Sequence, residues 1–131
     1  MINLYVAPSS ASSRKARKWL TDHDLDFKER NIARDPLNAE EIKQLLTLTE
    51  NGSEDIVSTR SNIFRKLKLD VNNLTVSQLI DLMVKYPDLI KRPLIFNDQL
   101  LQVGFSEEDI RAFLPRSVRE ASFRKLTEKI S

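Results

Sequence analysis

Ile2, Leu4 and Val6 alternate with polar neighbours, the period of a strand with one buried face. Around residues 10–22 the spacing becomes helical: Ala16, Trp19 and Leu20 share a face opposite Arg14, Lys15, Arg17 and Lys18. Leu25 and Phe27 begin a second alternating run that fades at Asn31. This β-α-β opening implies two parallel strands joined by a right-handed crossover. The middle of the chain is helical. Asn38 followed by Glu41 has capping-box spacing, with Ile42, Leu45 and Leu46 as the buried stripe. That helix is expected to end at Asn51-Gly52, with Gly52 as a left-handed C-cap. A short turn over residues 53–57 leads to a helix with Ile63, Phe64 and Leu67 inward. Thr75 with Gln78 caps another, apolar at Val76, Leu79, Ile80 and Met83 and stopped by Pro87. Residues 93–96 and 99–103 read as two strands around a tight Asn97-Asp98 turn. A last helix opens at Ser106 with Glu107, Glu108 and Asp109 in its first turn, where carboxylates suit the helix dipole. Ile110, Phe113 and Leu114 pack it, and Pro115 ends it.

This order, β-α-β, helices, then β-β-α, is that of an α/β domain of thioredoxin-like type: a mixed four-stranded sheet with a helical insertion. At 131 residues, with two glycines, five prolines and no low-complexity stretch, the chain reads as a single domain. The sheet-bearing core is expected over about residues 1–35 and 88–119, the insertion over about 36–87, and a basic tail over about 117–131. A net charge of +2 permits an anionic partner without demanding one. Its basic residues cluster, however, at Arg14 to Lys18 and again at Arg116, Arg119, Arg124, Lys125 and Lys129, each cluster also being readable as a solvated face. The chain has no cysteine and one histidine, His23, which excludes disulfides, thiolate metal sites and an ordinary zinc or triad site. Neither a metal nor a cofactor is implied. No apolar run is long enough to span a membrane and no signal-peptide layout opens the chain, so a cytoplasmic protein is expected.

The first strand feeds a turn reading Ser9-Ser10-Ala11-Ser12-Ser13-Arg14. In such a fold the helix N-terminus after this turn stabilises a thiolate, which is why redox cysteines sit there. Ser10 and Ser13 have the Cys-x-x-Cys spacing without the sulfur. Serine hydroxyls stay protonated at neutral pH and form no disulfide, so exchange chemistry is excluded. Ser10 as a nucleophile in its own right needs a base, yet His23 lies at the far end of the same helix, roughly 15–20 Å away. A polar helix cap is the better reading. At Arg92-Pro93 a proline opens the third strand facing this turn, where this fold commonly has a cis peptide although sequence does not decide the isomer, and Arg92 is set either beside an anion pocket or on the surface.

The stretches Arg14-Lys15-Ala16, Trp19-Leu20, Glu29-Arg30-Asn31-Ile32, Thr49-Glu50-Asn51-Gly52, Ser58-Thr59-Arg60-Ser61, Arg92-Pro93, Leu101-Gln102-Val103-Gly104 and the run from Asp109 through Phe113 and Leu114 to Arg116 resemble the Spx family. These are transcriptional regulators of low-GC Gram-positive bacteria, related in fold to glutaredoxin-coupled arsenate reductases. The resemblance implies a non-enzymatic stress regulator that binds the C-terminal domain of the RNA polymerase α subunit and activates or represses promoters. Carried over by position, the α-binding surface includes Ser10, Ser13, Arg14, Arg17 and Gly52. The last of these is a glycine because the partner's backbone comes close. Arg60 and Arg92 also match family positions. Arg92 belongs beside the switch turn, and Arg60 is a promoter phosphate contact made only within the polymerase complex. The ClpXP protease and an adaptor are further implied partners.

Three departures change this picture. Both switch cysteines are serine, Asn62 stands where the family often has a basic residue, and Glu128-Lys129-Ile130-Ser131 replaces the small apolar tail that marks the family for proteolysis. Two other functions compete with the regulator. One is an arsenate-reductase-like enzyme, which needs a cysteine at position 10 and a third arginine where Phe105 stands. The other is an adaptor that holds a small anion near Ser10.

Overall fold

A computed structural model describes residues 1–7 and 10–114. Four strands, β1 (Ile2–Val6), β2 (Phe27–Asn31), β3 (Leu94–Phe96) and β4 (Leu101–Val103), form one mixed sheet in the order β2-β1-β3-β4. The parallel β1–β2 pair matches Ile2 with Phe27 through Val6 with Asn31, and the antiparallel pairs β1–β3 and β3–β4 complete the sheet. The α-helices are α1 (Ala11–Asp22), α2 (Ala39–Thr47), α3 (Asn62–Lys66) and α4 (Val76–Lys85), supplemented by short 3-10 turns. The last three helices all fall between β2 and β3.

The alternation in β1 decides which layer covers which face. Ile2, Leu4 and Val6 pack with Ile95 against Ala16, Trp19 and Leu20 of α1 and against Ile110, Phe113 and Leu114. Across the sheet, Tyr5, Leu94 and Phe96 meet a second cluster built from Ile42, Leu45, Ile56, Val57, Leu79, Ile80, Met83 and Ile90. The sheet is therefore covered on both sides, the insertion supplying one whole layer. Full burial of each such aliphatic side chain contributes roughly 1.5–3 kcal/mol before conformational entropy is subtracted.

Both capping boxes are present: Asn38 with Glu41 opens α2, and Thr75 with Gln78 opens α4. Elsewhere the pattern gives way to local chemistry. The Asn38-capped helix stops at Thr47 with Leu48 as its right-handed cap, so Gly52, four residues on, is not a C-cap. With φ of +78° it opens the 3-10 turn Gly52–Asp55 instead. Val76 is exposed, because at the first position of α4 it lies beyond the packed stripe of Leu79, Ile80 and Met83. Ile63 and Phe64, on a helix of only five residues, and Leu67, its C-cap, are half-buried. The β3–β4 connection is longer than a two-residue turn: the Asn97 amide donates to the Leu100 carbonyl, and its side chain accepts from Gln99 and Leu100. The final helix is a 3-10 turn, Asp109–Phe113, that still buries Ile110, Phe113 and Leu114. Pro8, Ser9, Pro115, the second basic cluster and the tail fall outside the described residues.

Candidate functional site

The two serines of the turn have different local roles. Ser10 is the N-cap of α1, and its Oγ accepts the Ser13 amide at 3.1 Å. Ser13 is buried at 1% exposure, and its Oγ accepts the Ala7 amide at 3.4 Å, while the Ser10 amide donates to the Ala7 carbonyl at 3.2 Å. The hydroxyls thus satisfy amides that would otherwise be orphaned at a strand end and a helix start. Of the residues expected on the partner surface, Ser13 is the buried one, supporting the turn from beneath. His23 ends the same helix as its C-cap, its ring stacked on Trp19 with centroids 3.9 Å apart and its Nδ1 2.8 Å from the Trp19 carbonyl. It is occupied there and offers Ser10 no base.

Outward from the turn, Arg14, Lys15, Arg17 and Lys18 are exposed along α1. Arg17 Nε pairs with Glu29 of β2, and Lys18 pairs with Asp22 at 2.9 Å. Arg60 and Arg92 line one open cleft of about 450 Å³ together with Ala7, Ala33, Ser61, Asn62, Ile63 and Asp88. The Arg92-Pro93 bond is cis, and Arg92 Nη1 lies 3.4 Å from Asp88 Oδ1. The cleft therefore joins the two arginines to the end of β1, just before the serine turn. Phe105 is elsewhere. It borders a groove with Lys15, Lys18 and Trp19 on the other side of the sheet, and among the described residues that line the cleft the cations are Arg60 and Arg92.

Gly52 sits on its own loop. An added Cβ would meet no atom within 4 Å, so the positive φ, and no internal crowding, is what this chain requires of the glycine. Behind the loop, the Ser58 amide donates to the Leu89 carbonyl at 2.6 Å and the Lys91 amide to the Ile56 carbonyl at 2.8 Å, flanking a Val57–Ile90 bridge. This short ladder ties the loop to the segment that leads into Arg92.

The sequence did not reveal a polar knot around Arg30. Its guanidinium pairs with Glu41, donates to the Asp35 and Pro36 carbonyls at 3.0 and 2.8 Å, and lies 5.5 Å from the Tyr5 ring centre. Arg30 thereby fastens β2 to the start of α2. Its hydrogen bond holds the Glu41 carboxyl below the usual range, and burial pushes the Tyr5 hydroxyl up. The Glu29-Arg30-Asn31-Ile32 stretch carried this signal without indicating which carboxylate Arg30 would find. Among the described residues no cluster of His, Asp and Glu could hold a metal ion, and no helix is long and apolar enough to cross a membrane.

Residues 5–113 match the ArsC family. The global transcriptional regulator Spx of Streptococcus pyogenes serotype M1 is 49% identical over 129 residues, covering 98% of this chain and 96% of its own. Spx 1 of Lactococcus lactis, also a global transcriptional regulator, is 51% identical over 121 residues, covering 92% and 94%. Among solved structures, an ArsC-family-related protein from Bacteroides fragilis superimposes with a TM-score of 0.77 at 26% identity, covering 85% of this chain and 95% of its own. Arsenate reductase from Vibrio cholerae gives 0.76 at 23%, covering 86% and 97%, and shows the shared thioredoxin-like fold alone. The mixed four-stranded sheet and the near full-length similarity agree: the chain belongs to the ArsC family and, within it, to the Spx regulators.

Proposed function

We propose that this protein is a global transcriptional regulator that binds the C-terminal domain of the RNA polymerase α subunit and redirects promoter choice under stress, without a dithiol switch. The observation that carries the reading is the identity of about half of all positions, over nearly the whole chain, with regulators of that name. The α-binding surface comprises the exposed start of α1, with Ser10, Arg14 and Arg17, together with the Gly52 loop. Arg60 and Arg92 form a cationic cleft beside it, which meets promoter phosphate once polymerase has brought the two together. Within this reading the chain works in the cytoplasm as one domain, the insertion carrying both the Gly52 loop and Arg60.

An arsenate-reductase activity is disfavoured by the missing nucleophile at position 10 and by the place of Phe105. Residues 128–131, on which turnover by ClpXP and its adaptor would depend, lie outside the described part.

Titration of the protein with the isolated α C-terminal domain tests the proposal. Binding in the micromolar range is expected. Folded protein that fails to bind at tens of micromolar sinks the reading, and a Gly52→Arg variant with unchanged affinity removes the loop from the surface.

A further inference from the structure

The loop bearing Gly52 is closed by a single side chain. Asp55 Oδ2 accepts the backbone amides of Glu50 and Asn51, both at 3.0 Å, and Oδ1 accepts the Asn51 side-chain amide at 3.3 Å. One carboxylate thus gathers three donors from the residues immediately before Gly52, reaching back from the far end of the 3-10 turn. Glu50, Asn51 and Glu54 are exposed at the tip, and the amides of Ile56 and Val57 donate to the Ser53 carbonyl at 3.2 and 3.1 Å. The base of the loop is fixed, since Ile56 and Val57 are buried and the Val57–Ile90 bridge pins them to the next layer.

From this arrangement we propose that Asp55 is a positioning residue for partner binding: it holds the Gly52 loop, before the partner arrives, in the shape the partner accepts. The proposal rests on the reading that this loop meets the α subunit. A loop that must be ordered during association weakens binding by the population it lacks, because apparent affinity scales with the fraction already competent. With the carboxylate in place that fraction is near one. Without it, the exposed tip keeps its buried base but loses the three bonds that define the path around Gly52. The N–H groups of Asn51 and Glu50 also hold the Asp55 carboxyl below the usual carboxylate range, with Lys91 contributing, so the clip stays ionised at neutral pH. If the competent fraction falls to about a tenth, affinity falls about tenfold.

The test uses the full chain with Asp55→Ala and, as a milder change that preserves shape, Asp55→Asn. Affinity for the α C-terminal domain is measured by calorimetry, and exchange of individual amides by NMR. Expected are roughly tenfold weaker binding for Asp55→Ala and a smaller loss for Asp55→Asn. Glu50 and Asn51 amides should exchange faster, protection elsewhere should be unchanged, and Tm should fall by no more than about 6 °C, the shift of about 1 kcal/mol at a half-buried side chain. Affinity within twofold of the parent, with Glu50 and Asn51 exchanging faster, overturns the proposal. So does weaker binding accompanied by lost protection throughout the chain, which would make Asp55 merely structural. A parent protein that does not bind removes the functional reading itself, and the proposal with it.

Discussion

The buried hydroxyl of Ser13 gives a prediction that separates a serine with its own structural role from a cysteine that merely lost its sulfur. In Ser13→Ala the Ala7 amide, on a residue 4% exposed, keeps its desolvation and loses its acceptor. Leaving a buried donor unpaired costs about 1–3 kcal/mol, and the 3.4 Å length of this bond places it at the low end. Alanine also gains a few tenths of a kcal/mol in helix propensity over serine, which offsets part of the loss. The expected net cost is about 0.5–1 kcal/mol. Ser10→Ala removes the N-cap of α1 and should cost about 1 kcal/mol. The two hydroxyls serve different amides, so the double variant should lie near their sum, about 1.5–2 kcal/mol.

Urea denaturation followed by the emission of Trp19, the sole tryptophan and a residue of α1 itself, reads these differences directly. Exposed Ser12, in the same first turn, supplies the control and should shift stability by no more than about 0.5 kcal/mol on replacement by alanine. In thermal melts each kcal/mol corresponds to roughly 3–6 °C for a chain of this size. A Ser13→Ala variant as stable as Ser12→Ala would refute the argument. Because Ser13 is covered, the same variant should bind the α subunit domain with affinity within about twofold of the parent.

Acid should destabilise the fold through Glu41 and Asp55. Both carboxyls are depressed in the folded chain, Glu41 by its hydrogen bond from Arg30 and Asp55 by the Asn51 amide. Their contributions are full above the unfolded carboxylate range of about 4 and are lost as pH falls through the lower folded values. Urea midpoints should therefore drop below about pH 4, and less steeply in Glu41→Gln; an unchanged acid limb in that variant counts against the Arg30 knot. Gly52→Ala should cost about 1 kcal/mol from its left-handed backbone alone, since the new Cβ meets nothing within the chain; a loss above about 3 kcal/mol in urea would contradict this. In Ser10→Cys the thiol stands at the N-cap of a twelve-residue helix and should ionise near pH 7, below the free value of about 8.5. An alkylation-rate profile with its midpoint at or above 8.5 would show that the turn no longer activates sulfur.

The fold was legible wherever one face of an element is buried. Alternation in β1 and the 16-19-20 stripe of α1 placed both correctly, and side chain-to-backbone spacing found both capping boxes, because those signals are local. Boundaries failed where local bonds between polar groups took over. Asn97 widened the β3–β4 turn by accepting two amides, and Asp55 tied residues 50 and 51 to the 3-10 turn Gly52–Asp55 where a longer α2 ending at a glycine cap was expected. A side chain that hydrogen-bonds its own neighbourhood offers the backbone an alternative to helix, and hydrophobic period carries no trace of it.

The candidate site was legible by position and not by role. Arg60 and Arg92 are 32 residues apart in the chain, and only the fold brings them into one cleft at the end of β1. Ser10 and Ser13 look equivalent in the motif, yet one is a half-exposed cap and the other a buried acceptor. That difference changes what the loss of sulfur means. Oxidising a dithiol here would place a bond between positions 10 and 13 and alter the first turn of α1. With serines, that first turn is held instead by two hydrogen bonds that no oxidant breaks. The surface proposed to meet polymerase therefore starts from a helix cap made of two hydroxyls, with no dithiol at positions 10 and 13 to oxidise.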